Sequence, residues 1–266
     1  MPTGGTRDAF GVPFEIGPDG TGGPWIVLGI RKSGSSIFNN IVTAMAGFNG
    51  VPFHDVGGRL FEAGHREVDW RDSPALGDLL APGHAYGGFR SLPPGLASSP
   101  LWEGARKVAL VRDPRDALVS EYFSNAHSHS LPEAGPARDH MVAQRAAALR
   151  TDVADYVRDR MHLLAETCAP FVALARDPSV RVFRYEDVIF EKPAWMRAVA
   201  AHFGWDVTDR QIELVMGWAD QRPEVERPTE FVRRVTPGDH REKMTPELRA
   251  ETGRAFAEFM ETFGYD

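Results

Sequence analysis

Hydrophobic positions along the chain fall into short continuous runs and longer stretches with helical spacing. Trp25, Ile26, Val27 and Leu28 form a compact apolar run, the pattern of a strand buried on both faces. A Gly/Ser/Lys segment follows, after which Ile37, Ile41, Met45 and Phe48 recur at spacings of three and four and predict a helix to about Gly50. The same order returns downstream. Lys107, Val108, Ala109, Leu110 and Val111 read as a second buried strand, Asp113 as an N-cap and Pro114 as the first helical residue. Leu118, Val119, Tyr122 and Phe123 then supply that helix with its apolar contacts.

A third strand is predicted over residues 180–185, ended by Glu186 and Asp187. Residues 139–176 read as helical, with Tyr156, Met161, Leu164, Phe171 and Leu174 facing inward; further helices are expected over 193–203, 208–219 and about 245–263. Strands alternating with helices imply an α/β fold with a mainly parallel sheet. Between these elements, residues 51–100 are punctuated by Gly and Pro and should hold short strands, one near Phe89, and pocket-lining loops. Residues 124–138 read as a polar loop and 221–244 as an irregular Pro/Arg-rich segment. Residues 1–23, rich in Gly, Pro and Thr, are expected to be a flexible N-terminal arm, and 24–266 a single domain.

Composition narrows the class. With 266 residues, 42% of them hydrophobic, the chain can bury one large core. No apolar run reaches the ~18 residues of a membrane span, and the first residues lack a signal-peptide pattern, so a cytoplasmic protein is expected. A single cysteine, Cys168, rules out an internal disulfide framework and reads as a small buried residue. No residue set has metal-ligand spacing. A net charge of −7 argues against a nucleic-acid partner, but leaves room for a local basic pocket. Trp195, Phe203, Trp205 and Trp218 read as core.

Three segments carry cations, hydroxyls and glycines. Lys32, Ser33, Gly34, Ser35 and Ser36 lie between the first strand and its helix, where backbone N–H groups and the helix dipole favour an anion. That stretch alone also matches an ordinary βα turn with a capping serine. Arg112 follows the second strand, with Ser120 two helical turns further on, and Arg233 and Arg234 come from the late irregular segment. Together they suggest a ligand with phosphates at more than one position. Lys32 precedes Ser33–Gly34 instead of following a second glycine, which does not fit the G-x-x-x-x-G-K-[ST] loop of nucleoside-triphosphate enzymes.

These residues resemble the sulfotransferases that use 3′-phosphoadenosine 5′-phosphosulfate (PAPS). Arg31-Lys32-Ser33-Gly34-Ser35-Ser36-Ile37 is similar to their P-K-S-G-T-T-W loop, and the run from Val111 through Arg112 and Ser120 to Tyr122 to their R-[ND]-x-[KR]-D-x-x-V-S-x-Y motif. Tyr185-Glu186-Asp187 is similar to their Y-E-D, and the segment from Phe231 through Arg233, Arg234, Gly238 and Asp239 to Arg241 to F-x-R-K-G-x-x-G-D-W-K. The resemblance implies a P-loop-like three-layer fold and transfer of a sulfuryl group to a hydroxyl or amine of a small-molecule, lipid or saccharide acceptor. It implies that Lys32 binds the sulfuryl or bridging oxygens, that residues 33–36 cradle the 5′-phosphosulfate, and that Arg112, Ser120, Arg233 and Arg234 hold the 3′-phosphate. It puts Tyr185 near the adenine. Ile37, Arg31, Val235 and His240 depart from the family pattern at positions of Trp, Pro, Gly and Trp.

Many relatives carry a base in a K-[TS]-H-x-P segment. Here that segment reads Arg90-Ser91-Leu92-Pro93 and carries no histidine, its cation being Arg90. Arginine stays protonated, so Arg90 is assigned to binding an acidic substrate or the sulfuryl group. His84 and His54 lead the candidates for the base, with His127 and His129 behind them as residues that line the acceptor pocket. Two other readings stay open: a small-molecule kinase on a similar fold, and a degenerate nucleotide-binding relative.

Overall fold

The computed structural model describes residues 5–230 and 232–266. The described chain opens with an antiparallel hairpin of β1 (Gly5–Ala9) and β2 (Val12–Ile16), and β3 (Trp25–Gly29) leads into α1 (Ser35–Phe48). Then come β4 (Phe53–Asp55), α2 (Val56–Glu62), the single turns α3 (Glu67–Trp70) and α4 (Ala75–Asp78), and β5 (Ala85–Gly87). β6 (Arg106–Val111) feeds α5 (Pro114–Phe123), which runs on as a π-helical stretch over Ser124–Ser128. Helices α6 (Pro136–Ala148) and α7 (Val153–Leu174) precede β7 (Val180–Arg184). The chain continues through α8 (Tyr185–Val188), α9 (Lys192–Phe203), α10 (Asp209–Ala219), α11 (His240–Lys243), α12 (Pro246–Ala255) and α13 (Ala257–Phe263).

Five strands form one parallel sheet in the order β4-β5-β3-β6-β7. Trp25 to Gly29 pair in register with Arg106 to Leu110, so the turns after β3 and β6 emerge side by side at the carboxyl end. Alternation along β3 divides the core. Ile26 and Leu28 face a cluster with the hairpin, α2, α7, α12 and α13, while Val27 faces one built on α1, α9 and α10. Each large apolar side chain so covered contributes about 1.5–3 kcal/mol relative to exposure. The α/β class, the parallel sheet and its flanking helices match the expectation.

Other expectations change. Residues 5–16 are not a loose arm. Val12, Phe14 and Ile16 alternate with Pro13 and Glu15, and their buried face closes one side of the main core, with Phe14 0% exposed. The helix expected over 139–176 is two helices, because the chain turns between Ala148 and Val153, where Asp152 caps α7. The final helix is interrupted at Phe256. Within 51–100 the short strands end at Gly87, and Phe89 lies buried just beyond β5. Trp195, Phe203, Trp205 and Cys168 are buried as expected, but Trp218 is 41% exposed.

Candidate functional site

The loop between β3 and α1 is shaped by two residues in the left-handed region, Lys32 (φ +60°) and Gly34 (φ +85°). Ser33 is buried, and its hydroxyl donates to the carbonyl of Ile30 at 2.8 Å, which fastens the turn from within. Gly34 lies under the Tyr185 ring. A Cβ there would come within 3.0 Å of two ring carbons, so the position needs glycine for space as well as for φ. α1 begins at Ser35 with no side-chain cap and no acidic residue in its first turn. Its first N–H groups and its positive end are therefore left for an anion.

Arg112 leaves the end of β6 and crosses to this loop. Nη1 donates to the carbonyl of Lys32 at 3.0 Å, and the guanidinium lies 4.4 Å from the centre of the Tyr185 ring. Its nearest carboxylate, Asp116, is 3.6 Å away, and its buried Nε has no partner among the described residues. Burial works against the cation, but Tyr185, Asp116, Glu186 and Asp239 outweigh it and hold the pKa above its ordinary value. Tyr185 in turn donates its hydroxyl to the carbonyl of Val235 at 2.7 Å. Ser120, half-buried on α5, lies one turn beyond Asp116.

Lys32 is surrounded by other cations. Burial first, then the neighbouring Arg112, Arg90 and Arg233, pull its pKa down to about 8, and Glu121 is the carboxylate that partly offsets them. Arg90 donates to the hydroxyl of Ser36 at 3.3 Å. Burial and Arg31 push its pKa down, while Asp55 and Glu67 act in its favour. Arg31 pairs with Glu67 at 3.0 Å, and the other oxygen of Glu67 accepts from Ser91.

Asp116 is the anchor of the late segment. It accepts from the backbone N–H of Gly238 (2.7 Å) and of His240 (2.9 Å), and from His240 Nδ1 at 2.7 Å. Burial alone would raise its pKa, but His240, Arg112 and these N–H groups hold it far below the usual carboxylate range. Arg233 packs 4.3 Å from the Phe123 ring centre and pairs with Glu226 and Asp239. Arg234 pairs with Asp239 (3.2 Å) and Glu242 (2.8 Å). The charge of both arginines is thus matched within the segment itself.

The two leading histidines do not join this group. His54 lies on β4 level with Tyr86 and Ile26, and the carbonyl of His84 accepts from the N–H of Trp25, toward the amino end of the sheet. His54 Nε2 and His84 Nδ1 are 2.9 Å apart, and His84 Nε2 is 3.2 Å from the carbonyl of Pro18. Burial, helped by His84, Arg59 and Arg7, lowers the His54 pKa to about 4. This pair ties the hairpin side of the core together, which corrects its assignment as proton acceptor. His127 is exposed on the π-helical stretch, and the His129 ring lies tilted at 6.0 Å from that of Phe61 with Nδ1 2.9 Å from the carbonyl of Ser130. Burial, and with it the charge of Lys32, lowers the pKa of His129.

The sequence reading missed Glu121, whose Oε1 accepts from the Tyr156 hydroxyl (3.2 Å) and from Arg160 (3.3 Å). Its signal was its place beside Ser120 in the second motif. Glu67 carried no local signal. Asp116, at the start of α5, is a tether for the late segment. No group of three or more His, Cys, Asp or Glu among the described residues is arranged to hold a metal, and no helix among them is long and apolar enough to cross a membrane.

A family model for the sulfotransferase domain matches residues 24–264. Among solved structures, mouse sulfotransferase SULT7A1 complexed with PAP aligns with a TM-score of 0.59 at 13% identity, over 91% of this chain and 86% of that one. Retinol dehydratase aligns in its complex with retinol and PAP (0.58, 13%, over 90% and 81%) and with androsterone and inactive cofactor PAP (0.56, 14%, over 90% and 80%). At such identities the likeness is one of fold. No curated protein sequence matches the chain. The family model spans nearly the whole chain and includes the Lys32 loop, the Arg112 turn and the Arg233–Arg234 segment, and the chain belongs to the sulfotransferase family.

Proposed function

We propose that the protein transfers a sulfuryl group from PAPS to a hydroxyl, or an amine, of a small acceptor. The observation that carries the reading of the donor is Arg112: a buried guanidinium beside the β3–α1 loop, lying on an aromatic ring, with Nε unpartnered. A buried cation with a free donor is costly unless an anion completes it, and a nucleotide phosphate next to Tyr185 fits that need. Ser120 on the adjoining helix, and Arg233 and Arg234 on release from their acidic partners, complete a 3′-phosphate site. The uncapped start of α1, with Ser35 and Ser36, suits a second phosphate. These two anion sites are what PAPS requires of a protein.

When bound, PAPS would supply an activated sulfuryl group: sulfur would bond to the acceptor oxygen or nitrogen, the S–O bond to the 5′-phosphate would break with its electron pair on the phosphate, and the acceptor proton would pass to solvent water. Lys32, next to the start of α1, neutralises the charge that develops on the leaving phosphate. Arg90, oriented by Ser36, holds the equatorial oxygens of the sulfuryl group. Positioning and charge stabilisation carry such a transfer, by analogy with phosphoryl transfer.

Calorimetric titration with PAP (adenosine 3′,5′-bisphosphate) and with ATP tests the donor. Micromolar binding of PAP with none of ATP is expected. The reverse preference overturns the reading.

A further inference from the structure

We infer that Glu67 is a positioning residue for sulfuryl transfer, a strut between the β3–α1 loop and the 88–91 segment that sets where Arg90 stands. This rests on the roles proposed above for Lys32 and Arg90, and adds the group that keeps the two in fixed relation.

Glu67 opens α3, and its two oxygens go to two different segments. Oε2 accepts from Arg31 at 3.0 Å, and Oε1 accepts from the Ser91 hydroxyl. Arg31 is the chain neighbour of Lys32, and Ser91 that of Arg90. One carboxylate, its side chain 12% exposed, therefore holds the residue beside each of the two cations assigned to the transferring group. Hydrogen bonds to an ionised carboxylate are stronger than those between neutral groups, which suits a strut. The carboxylate has a fixed base. Trp70, at the other end of α3, is buried with its ring centre 6.4 Å from that of buried Phe89, and the carbonyl of Arg71 accepts from the N–H of Gly95 at 2.9 Å. The α3 turn thus meets the segment around Arg90 at Phe89, Ser91 and Gly95.

The same segment is pinned to α1 from its other flank. Gly88 lies in the left-handed region (φ +84°), and its N–H donates to Oδ1 of buried Asn39 at 2.7 Å. Arg90 accordingly leaves a backbone held before and after it, while its guanidinium makes a single bond among the described residues, to Ser36 at 3.3 Å. One bond of that length does not fix a long side chain with many rotamers. The aim of Arg90 comes from the backbone it leaves, and Glu67 is what ties that backbone to the Lys32 loop. Placement matters because a reacting group displaced by about 1 Å can lose about 100-fold in rate.

The test uses the full chain at pH 7 and two ligands that differ by the sulfuryl group alone, PAPS and PAP, in calorimetric titrations. The ratio of their dissociation constants reads the contacts made to that group. Glu67→Ala should weaken PAPS about tenfold or more relative to PAP, with the PAP constant within about twofold of wild type. A merely damaged fold would weaken both ligands together. Glu67→Gln keeps an acceptor oxygen for one of the two partners and should recover part of the loss. Arg90→Ala should shift the ratio at least as far, and adding Glu67→Ala to it should change the ratio by less than about twofold, because Glu67 acts through Arg90. Absence of PAP binding in the wild type sinks the donor reading, and this inference falls with it. With PAP bound, an unchanged ratio in Glu67→Ala, an equal loss for both ligands, or additive effects of the two substitutions overturns this inference alone.

Discussion

Arg112 donates from Nη1 to the carbonyl of Lys32 across 3.0 Å, so a side chain from the second strand–turn–helix unit closes the loop of the first. The bond fixes the guanidinium over Tyr185 and leaves Nε free. Arg112→Ala should therefore weaken PAP binding by about 30-fold or more, the loss of a charge-assisted contact of roughly 2 kcal/mol or above. Arg112→Lys keeps the charge without the forked geometry and should recover little of it. Calorimetric dissociation constants check both; wild-type affinity in either variant contradicts the assignment.

Lys32 makes donor affinity depend on pH in one direction. Its pKa in the free protein is about 8, and the phosphate proposed to bind there stabilises the ammonium and raises it. Binding therefore takes up a proton above pH 8. Affinity should be flat below that point and decline as pH rises through it, by up to tenfold per unit. Glu121→Gln removes the carboxylate that supports the ammonium, and should start the decline at lower pH. The readout is the PAP dissociation constant between pH 6.5 and 9.5.

His54 links pH to folding. Its folded pKa, about 4, lies below the ordinary value of 6.5, so the unfolded chain binds a proton that the native chain resists. Stability should be full above pH 6.5 and fall progressively toward pH 4, by up to about 3 kcal/mol from this group. Urea midpoints across that window should flatten in His54→Gln. His54→Gln and His84→Gln should both retain PAP binding, since neither residue reaches the nucleotide loop.

Asp116 holds the late segment to α5 through three hydrogen bonds. Asp116→Ala leaves two backbone N–H groups and a buried imidazole without their acceptor, and should cost about 3 kcal/mol or more. Limited proteolysis should then cut within residues 221–239 well before the rest of the chain.

The parts of the fold and site that could be read in advance were contiguous. Each apolar run of four or five residues made a strand, and each turn after it stayed with its own strand, so Lys32 and Arg112 could be named from local pattern. The hairpin was hidden because its alternating residues, Val12, Phe14 and Ile16, sit among Gly and Pro, which read as loop. The His54–His84 contact depends on β4 pairing with β5, and nothing in either short strand announces its neighbour. Glu67, Glu121 and Asp116 acquire their roles through partners 24 to 124 positions away, beyond any spacing rule.

Arg233 and Arg234 are engaged by Glu226, Asp239 and Glu242. On the proposed role of these arginines at the 3′-phosphate, the acidic side chains compete with the nucleotide for the same guanidinium groups, so measured affinity is the intrinsic value reduced by the fraction of time the arginines are available. Salt screens the nucleotide and the competitor alike. The ionic-strength dependence of donor binding should accordingly be shallower than the number of cations around Lys32 would suggest, and neutralising Glu242 should both tighten binding and steepen it.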